Sequence, residues 1–83
     1  MHIELADCTN VIVRECSMPE LKQADIAMTY AMAIVSTWPT DWAVVNAAIL
    51  ARWPKGLERV KKLAHKIVAE KRREYLAAIA ASN

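Results

Sequence analysis

Five basic side chains in the C-terminal part of the chain recur at a spacing that suits the binding of phosphate groups. They follow one another at intervals of three, four or seven residues: Lys55, Arg59, Lys62, Lys66 and Arg73. At 100° per residue they fall within about 60° on one side of an α-helix. Cations along one helix face neutralise the phosphates of a nucleic-acid backbone and release its condensed counterions. The spacing therefore predicts a nucleic-acid-binding face made of these five residues.

The distribution of charge along the chain also points to an anionic partner for this half. Residues 1–51 hold two basic and six acidic side chains, a net charge of −4, whereas residues 52–83 hold nine basic and three acidic ones, a net charge of +6. A solvated helix face usually mixes signs through i,i+4 pairs, but here Glu58–Lys62 is favourable and Glu70–Glu74 is repulsive. Nucleic acid is the first partner indicated, and a solvated or protein-binding face is the alternative.

The other side chains with metal-binding or catalytic chemistry lack a recognisable context. Cys8 and Cys16 are eight residues apart, which is not a zinc-ligand spacing, and neither His2 nor His65 lies at motif distance from them. The sequence has no Gly-rich phosphate loop and no nucleophile–histidine set of known pattern. We therefore expect a protein that is not an enzyme and that uses no metal and no cofactor. Two reduced, half-buried thiols fit a cytoplasmic location.

Size and hydropathy predict a single domain over residues 1–83. The chain has 83 residues, of which 55% are hydrophobic, and a single glycine, a composition typical of closely packed helices. The N-terminal residues carry no basic segment followed by an apolar run, so no secretory signal is predicted. The most apolar stretch, residues 26–38, is far shorter than the roughly 20 residues that span a bilayer, so no membrane partner is expected.

The first 16 residues predict a β-hairpin. Ile3 and Leu5 alternate with polar residues, and the β-branched run Val11-Ile12-Val13 follows a turn-prone segment at residues 7–10. An isolated hairpin is marginal in water, so one of its faces must pack on the helices. The predicted fold is therefore α+β and mostly α, with a hairpin at 1–16 followed by three helices, the last long and basic.

The first predicted helix covers residues 17–37. Ser17-Met18-Pro19-Glu20 has the pattern of a capping box with proline in the first turn, and Pro39 ends the helix because it drives Trp38 out of the helical region. This helix is apolar on nearly all sides, which predicts a central position. One candidate core face contains Leu21, Ala24, Met28, Ala31, Met32 and Val35. The methionines at 18, 28 and 32 are expected to fill the core.

The second predicted helix covers residues 40–53 and the third covers residues 55–80. Thr40 is the expected cap of the second helix, whose core-facing stripe is Trp42, Val45, Ile49 and Trp53. The apolar side of the third helix is interrupted at Lys71, where we expect it to leave the core. Beyond that point, its apolar side chains need either the hairpin or a second copy of the chain as a cover.

The tryptophans allow two interpretations. Trp38, Trp42 and Trp53 could stack on nucleic-acid bases, but their positions at helix ends and on an apolar stripe favour core packing.

The C-terminal half has the layout of a helix-turn-helix: a short helix, the Pro54-Lys55-Gly56 turn and a basic helix. Arg52 and Lys62 occupy positions where that motif usually has a small and a β-branched residue, so the agreement is one of layout. The leading hypothesis is a small non-enzymatic DNA-binding or regulatory protein of phage or mobile-element type. The alternative is a protein-interaction module, homodimer or small inhibitor that docks through its acidic half or its apolar C-terminal helix.

Overall fold

The computed structural model describes residues 7–82, which fold into four α-helices. They are α1 (Cys8–Cys16), α2 (Gln23–Ser36), α3 (Trp42–Arg52) and α4 (Leu57–Ser82). The long α4 packs mainly along α2, and α3 packs mainly on α1. Because α1 also contacts α2, the two helix pairs share one core.

Helix α1 replaces the predicted hairpin, so both the hairpin and the α+β class are wrong for the described part of the chain. The β-branched run is helical throughout, while the first predicted strand falls outside residues 7–82. The turn-prone residues start a helix instead, since the Asp7 carboxylate accepts the backbone N–H of Thr9 at 2.9 Å. Cys8, Ile12 and Cys16, four residues apart, then bury one side of α1. This packing outweighs a β-propensity that depends strongly on context.

Helix α2 starts later than the capping-box pattern predicts. The hydroxyl of Ser17 donates to the carbonyl of Arg14 at 2.6 Å, so this residue closes α1. The first turn of α2 is stabilised by Asp25, whose carboxylate accepts the backbone N–H of Lys22 at 3.0 Å. Residues 17–22 therefore connect the two helices.

The guanidinium of Arg52 holds this connection in place. It donates to the carbonyl oxygens of Cys16 at 3.3 Å, Pro19 at 2.7 Å and Leu21 at 3.3 Å. Its planar fork of donors suits several carbonyls at once. Arg52 thus ties the end of α3 to a segment that has no regular backbone hydrogen bonding of its own.

The inner side of α2 differs from the predicted core face. Of that set, Ala31 is buried, whereas Met28 and Val35 are exposed. Five residues of α2 enter the core: Ile26, Ala27, Tyr30, Ala31 and Ala33. Met18, expected in the core, is also exposed. Because α2 is apolar almost all round, its sequence period does not distinguish the side that meets α1 and α4.

Helix α3 buries the stripe that the sequence predicts. Val45 and Ile49 are fully buried, and Trp42 and Trp53 are partly buried against the same core. The cap is Asp41 instead of Thr40, since the Asp41 carboxylate accepts the backbone N–H of Val44 at 3.3 Å. The apolar period, which was regular here, was enough to identify the buried side.

The turn between α3 and α4 requires a glycine. A Cβ atom on Gly56 would lie 2.5 Å from Cβ of Trp53 and 2.9 Å from Nε2 of Gln23. The bare backbone lets α4 begin directly against the partly buried Trp53 ring.

Two buried thiols and one buried tyrosine hydroxyl should make the stability of the fold sensitive to alkaline pH. Burial raises the pKa of the Cys8 and Cys16 thiols and of the Tyr30 hydroxyl. The folded chain therefore holds these protons more tightly than the unfolded chain. Their stabilising contribution is complete below the unfolded pKa values, about 9 for the thiols and about 10 for the hydroxyl, and is lost as the pH rises through the folded values.

We expect the free energy of unfolding, measured by urea denaturation, to fall steadily as the pH rises above about 8.5. The Cys8→Ala and Cys16→Ala variants should each show a smaller decline over this range than the wild-type chain does. A wild-type stability that stays constant to about pH 11 would contradict the assignment.

Candidate nucleic-acid interface

The predicted cationic face lies on the outer side of α4. Lys55 stands in the turn before the helix, and the other four side chains lie along it. All five are exposed: Lys55, Arg59, Lys62, Lys66 and Arg73. The opposite side of the helix buries Val60, Ala64 and Val68 in the core. Helix α4 therefore has one side held by the domain and one side open to a partner.

No acidic side chain of residues 7–82 forms an ion pair with this cationic face. Within residues 7–82, the one ion pair joins Nζ of Lys71 to Oε2 of Glu74 at 3.7 Å. None of the five cations is thus held by a carboxylate of the described chain. An ammonium or guanidinium group without an internal partner is free to exchange water for a phosphate oxygen.

The length of the cationic face matches a run of phosphates. Arg59 and Arg73 are separated by about 21 Å along the helix axis at 1.5 Å per residue. A duplex carries one phosphate charge per roughly 1.7 Å of its axis when both strands are counted, so a face of this length lies against a surface with several phosphates within reach. The face is therefore long enough to make several contacts at once.

The remaining basic residues of this half have different environments. His65 and Arg72 are exposed beside the cationic face, and Lys61 is partly buried. Arg52 is bound to three backbone carbonyls and also lies over the Trp53 ring at 5.4 Å. Arg52 is one of the nine basic residues of this half, but its guanidinium N–H groups donate to backbone carbonyls inside the domain.

The acidic residues of the other half are largely used to build helices. Asp7 and Asp41 cap α1 and α3, and Asp25 accepts a backbone N–H at the start of α2. The Glu15 carboxylate accepts the Thr29 hydroxyl at 3.0 Å, which joins α1 to α2. Carboxylates at helix N-termini also interact favourably with the helix dipole. These contacts support the basic half, more than the acidic half, as the binding surface.

The order of α3, turn and α4 follows the helix-turn-helix layout, but α4 is supported mainly by α2. The contact between α3 and α4 is small in comparison. The outer face of α4 is therefore presented by a helix pair and not by the tight two-helix unit typical of that motif.

A groove lies beside the cationic face, with a volume of about 320 Å³. Its polar and aromatic lining comes from Tyr30, Thr37, Trp38, Trp42 and His65. The rings of Tyr30 and Trp42 are 4.7 Å apart between centroids, and the Tyr30 hydroxyl donates to Oδ1 of Asn46 at 3.4 Å. Trp38 is 44% exposed, so the expectation that it packs in the core is wrong.

In the described range, no three His, Cys, Asp or Glu side chains come together in a group that could hold a metal ion. No helix between residues 7 and 82 combines the length and the hydropathy needed to cross a membrane. Comparisons with protein-family models, curated proteins and solved structures give no match to this chain.

Proposed function

We propose that this chain is a non-enzymatic DNA-binding protein of regulatory type, which binds the phosphate backbone of a duplex with the outer face of α4. One observation carries the proposal. Four exposed cations share one side of α4, a fifth (Lys55) stands in the turn before it, and none of the five has a carboxylate partner within the described chain. Such a one-sided cationic surface is the electrostatic footprint of nucleic-acid binding.

The affinity would come mainly from counterion release. Each phosphate neutralised by a lysine or arginine frees a condensed cation, so binding weakens steeply as salt is added. Helix α2, with a smaller contribution from α3, would act as the support for α4, since their packing fixes the inner side of that helix. Backbone contacts of this kind position a protein on DNA, whereas sequence preference requires contacts to base edges.

Fluorescence anisotropy of a labelled blunt duplex, titrated with the chain at several salt concentrations, tests this function. We expect the logarithm of the binding constant to fall linearly with the logarithm of the salt concentration, with a slope of about −3.6 to −4.5 for four or five contacts. The absence of binding at about 50 mM salt would refute the proposal, because electrostatic contacts are strongest there.

A second function is favoured by the C-terminal end of α4. Every described residue after Val68 is exposed, including Tyr75 at 67% and Leu76 at 64%. Helix α1 packs on α3 and α2 and makes no contact with α4, so the cover predicted from the hairpin is absent in the described range. Tyr75 and Ile79 continue the apolar side of α4 past its last core residue. We propose that a second copy of the chain covers this segment.

Sedimentation velocity of the full chain and of a version ending at Glu74 measures this self-association. We expect the full chain to be a dimer at high micromolar concentration and the shortened version to be a monomer with an unchanged helical core, because residues 75–82, which it loses, are all exposed. A full chain that stays monomeric, or a shortened version that still dimerises, would reject this segment as the interface.

A further inference from the structure

The groove beside α4 contains an exposed aromatic side chain, Trp38, on a backbone that is fixed by hydrogen bonds. Helix α2 ends in a Schellman-type turn in which the N–H of Thr37 donates to the carbonyl of Ile34 and that of Trp38 donates to the carbonyl of Ala33 at 3.2 Å. Thr37 has φ 51° and ψ 38°, the left-handed region that a β-branched residue rarely adopts. The backbone conformation that presents Trp38 is therefore an unfavourable one for this sequence.

The segment after Trp38 is fixed as well. Its carbonyl accepts the Thr40 hydroxyl at 2.9 Å, and the carbonyl of Pro39 accepts the Cys8 N–H at 3.1 Å. A Trp ring on such a constrained backbone loses little conformational freedom when a flat ligand stacks on it.

Charges of both signs lie near the groove: Glu58 of α4 acts electrostatically on the Tyr30 hydroxyl, and the cationic face of the same helix adjoins the groove at its other side chains. His65 lines the groove, and Lys62 of the cationic face lies three residues before it, on the neighbouring part of the α4 surface. A ligand with a flat ring in the groove would therefore carry its negative charge onto α4. A nucleotide combines those two properties in one unit, with a base to stack and a phosphate to pair.

We propose that this groove receives one unpaired nucleobase, which stacks on Trp38 while the adjoining phosphates lie along the cationic face of α4. The inference builds on the proposed binding of a duplex by α4 and specifies its substrate. The preferred ligand is a duplex with a single-stranded extension, since a fully paired blunt duplex offers no free base to the groove. Stacking of this kind is tolerant of base identity.

Competition between three labelled duplexes tests the proposal: a blunt one, one with a short thymidine extension, and one with an abasic extension of the same length. The two extended duplexes carry the same number of phosphates, so any difference between them reports the base. We expect the thymidine extension to bind about 5- to 100-fold more tightly than the abasic one. Equal affinities for these two probes would overturn the proposal.

Two substitutions at Trp38 locate the effect. Trp38→Ala should abolish the preference for the base and leave the affinity for the abasic and blunt probes unchanged, whereas Trp38→Phe should keep most of the preference because a stacking ring remains. A preference that persists undiminished in Trp38→Ala would overturn the assignment to this groove. Circular dichroism checks that both variants are folded, which we expect since the side chain is half exposed.

The same probes separate this inference from the proposed function. Binding of all three duplexes with a steep salt dependence but no preference for the base would reject the groove and leave the α4 contact standing. Binding of the thymidine extension without binding of the blunt duplex would reject the duplex contact and support the groove.

Discussion

A chain in which Lys62 and Lys66 are both replaced by glutamate should bind a blunt DNA duplex about 100-fold more weakly than the wild-type chain at about 50 mM salt. Both side chains are exposed in the middle of the cationic face, and neither has a carboxylate partner within residues 7–82. A lost phosphate contact removes about 0.9 from the salt exponent, which corresponds to roughly tenfold in affinity at this salt concentration relative to 1 M. The slope of the salt dependence should therefore become shallower by about two units.

A matched control is the double variant Arg14→Glu/Lys22→Glu, which changes the net charge by the same amount. Arg14 belongs to α1, which does not contact α4, and Lys22 precedes α2; both side chains are exposed. We expect this control to keep the wild-type salt slope and to lose less than about tenfold in affinity, through long-range repulsion alone. Equal losses in the two double variants would show that net charge, and not the face of α4, determines binding.

Ile49→Ala should produce the largest loss of stability, about 2–5 kcal/mol in the free energy of unfolding. Ile49 is fully buried in α3, in the cluster that includes residues of α1, α2 and α4. Truncation removes apolar surface from the core and leaves a cavity that the surrounding helices fill only in part. A domain of this length has a total stability of about 4–12 kcal/mol, so the variant should be partly unfolded at modest urea concentrations.

The neighbouring residue offers a control for this measurement. Leu50 lies on the same helix and loses a side chain of the same size in Leu50→Ala, but it is 42% exposed. We expect Leu50→Ala to cost less than about 1 kcal/mol, because much of its apolar surface already contacts water. Chemical denaturation of both variants measures the difference. Equal destabilisation would place the core on another side of α3.

The sequence by itself determined the parts of the molecule in which apolar and polar faces differ clearly. In α3 the stripe of Val45 and Ile49 has a regular period, and the structure buries it. In α4 the buried part of the apolar side ends at Val68, shortly before Lys71 interrupts that side. Four of the five cations lie on the opposite, exposed side of the helix, and Lys55 lies in the turn before it. Proline 39 and the Pro54-Lys55-Gly56 turn also separate the helices as local backbone chemistry requires.

Short sequence patterns gave wrong predictions where they were compatible with more than one structure. The sequence of residues 7–13 is compatible with a turn followed by a β-branched strand and also with a capped helix. The packing of Ile12 against the other helices favours the helix. Helix α2 is apolar on most sides, so its inner side was decided by the positions of α1 and α4. In both cases the deciding contacts are made by residues far apart in the sequence.

Tertiary structure alone also created the candidate groove. Trp38 is exposed because the connection after α2 is bound to the start of α1, where the Thr9 hydroxyl accepts the N–H of Asp41, 32 residues away, at 2.7 Å. The Arg52 guanidinium is not available to the cationic surface, because it donates to backbone carbonyls of residues 31 to 36 positions away in the sequence. A periodic pattern reports which side of one helix is apolar, but it contains no information about which distant backbone groups will compete for a side chain.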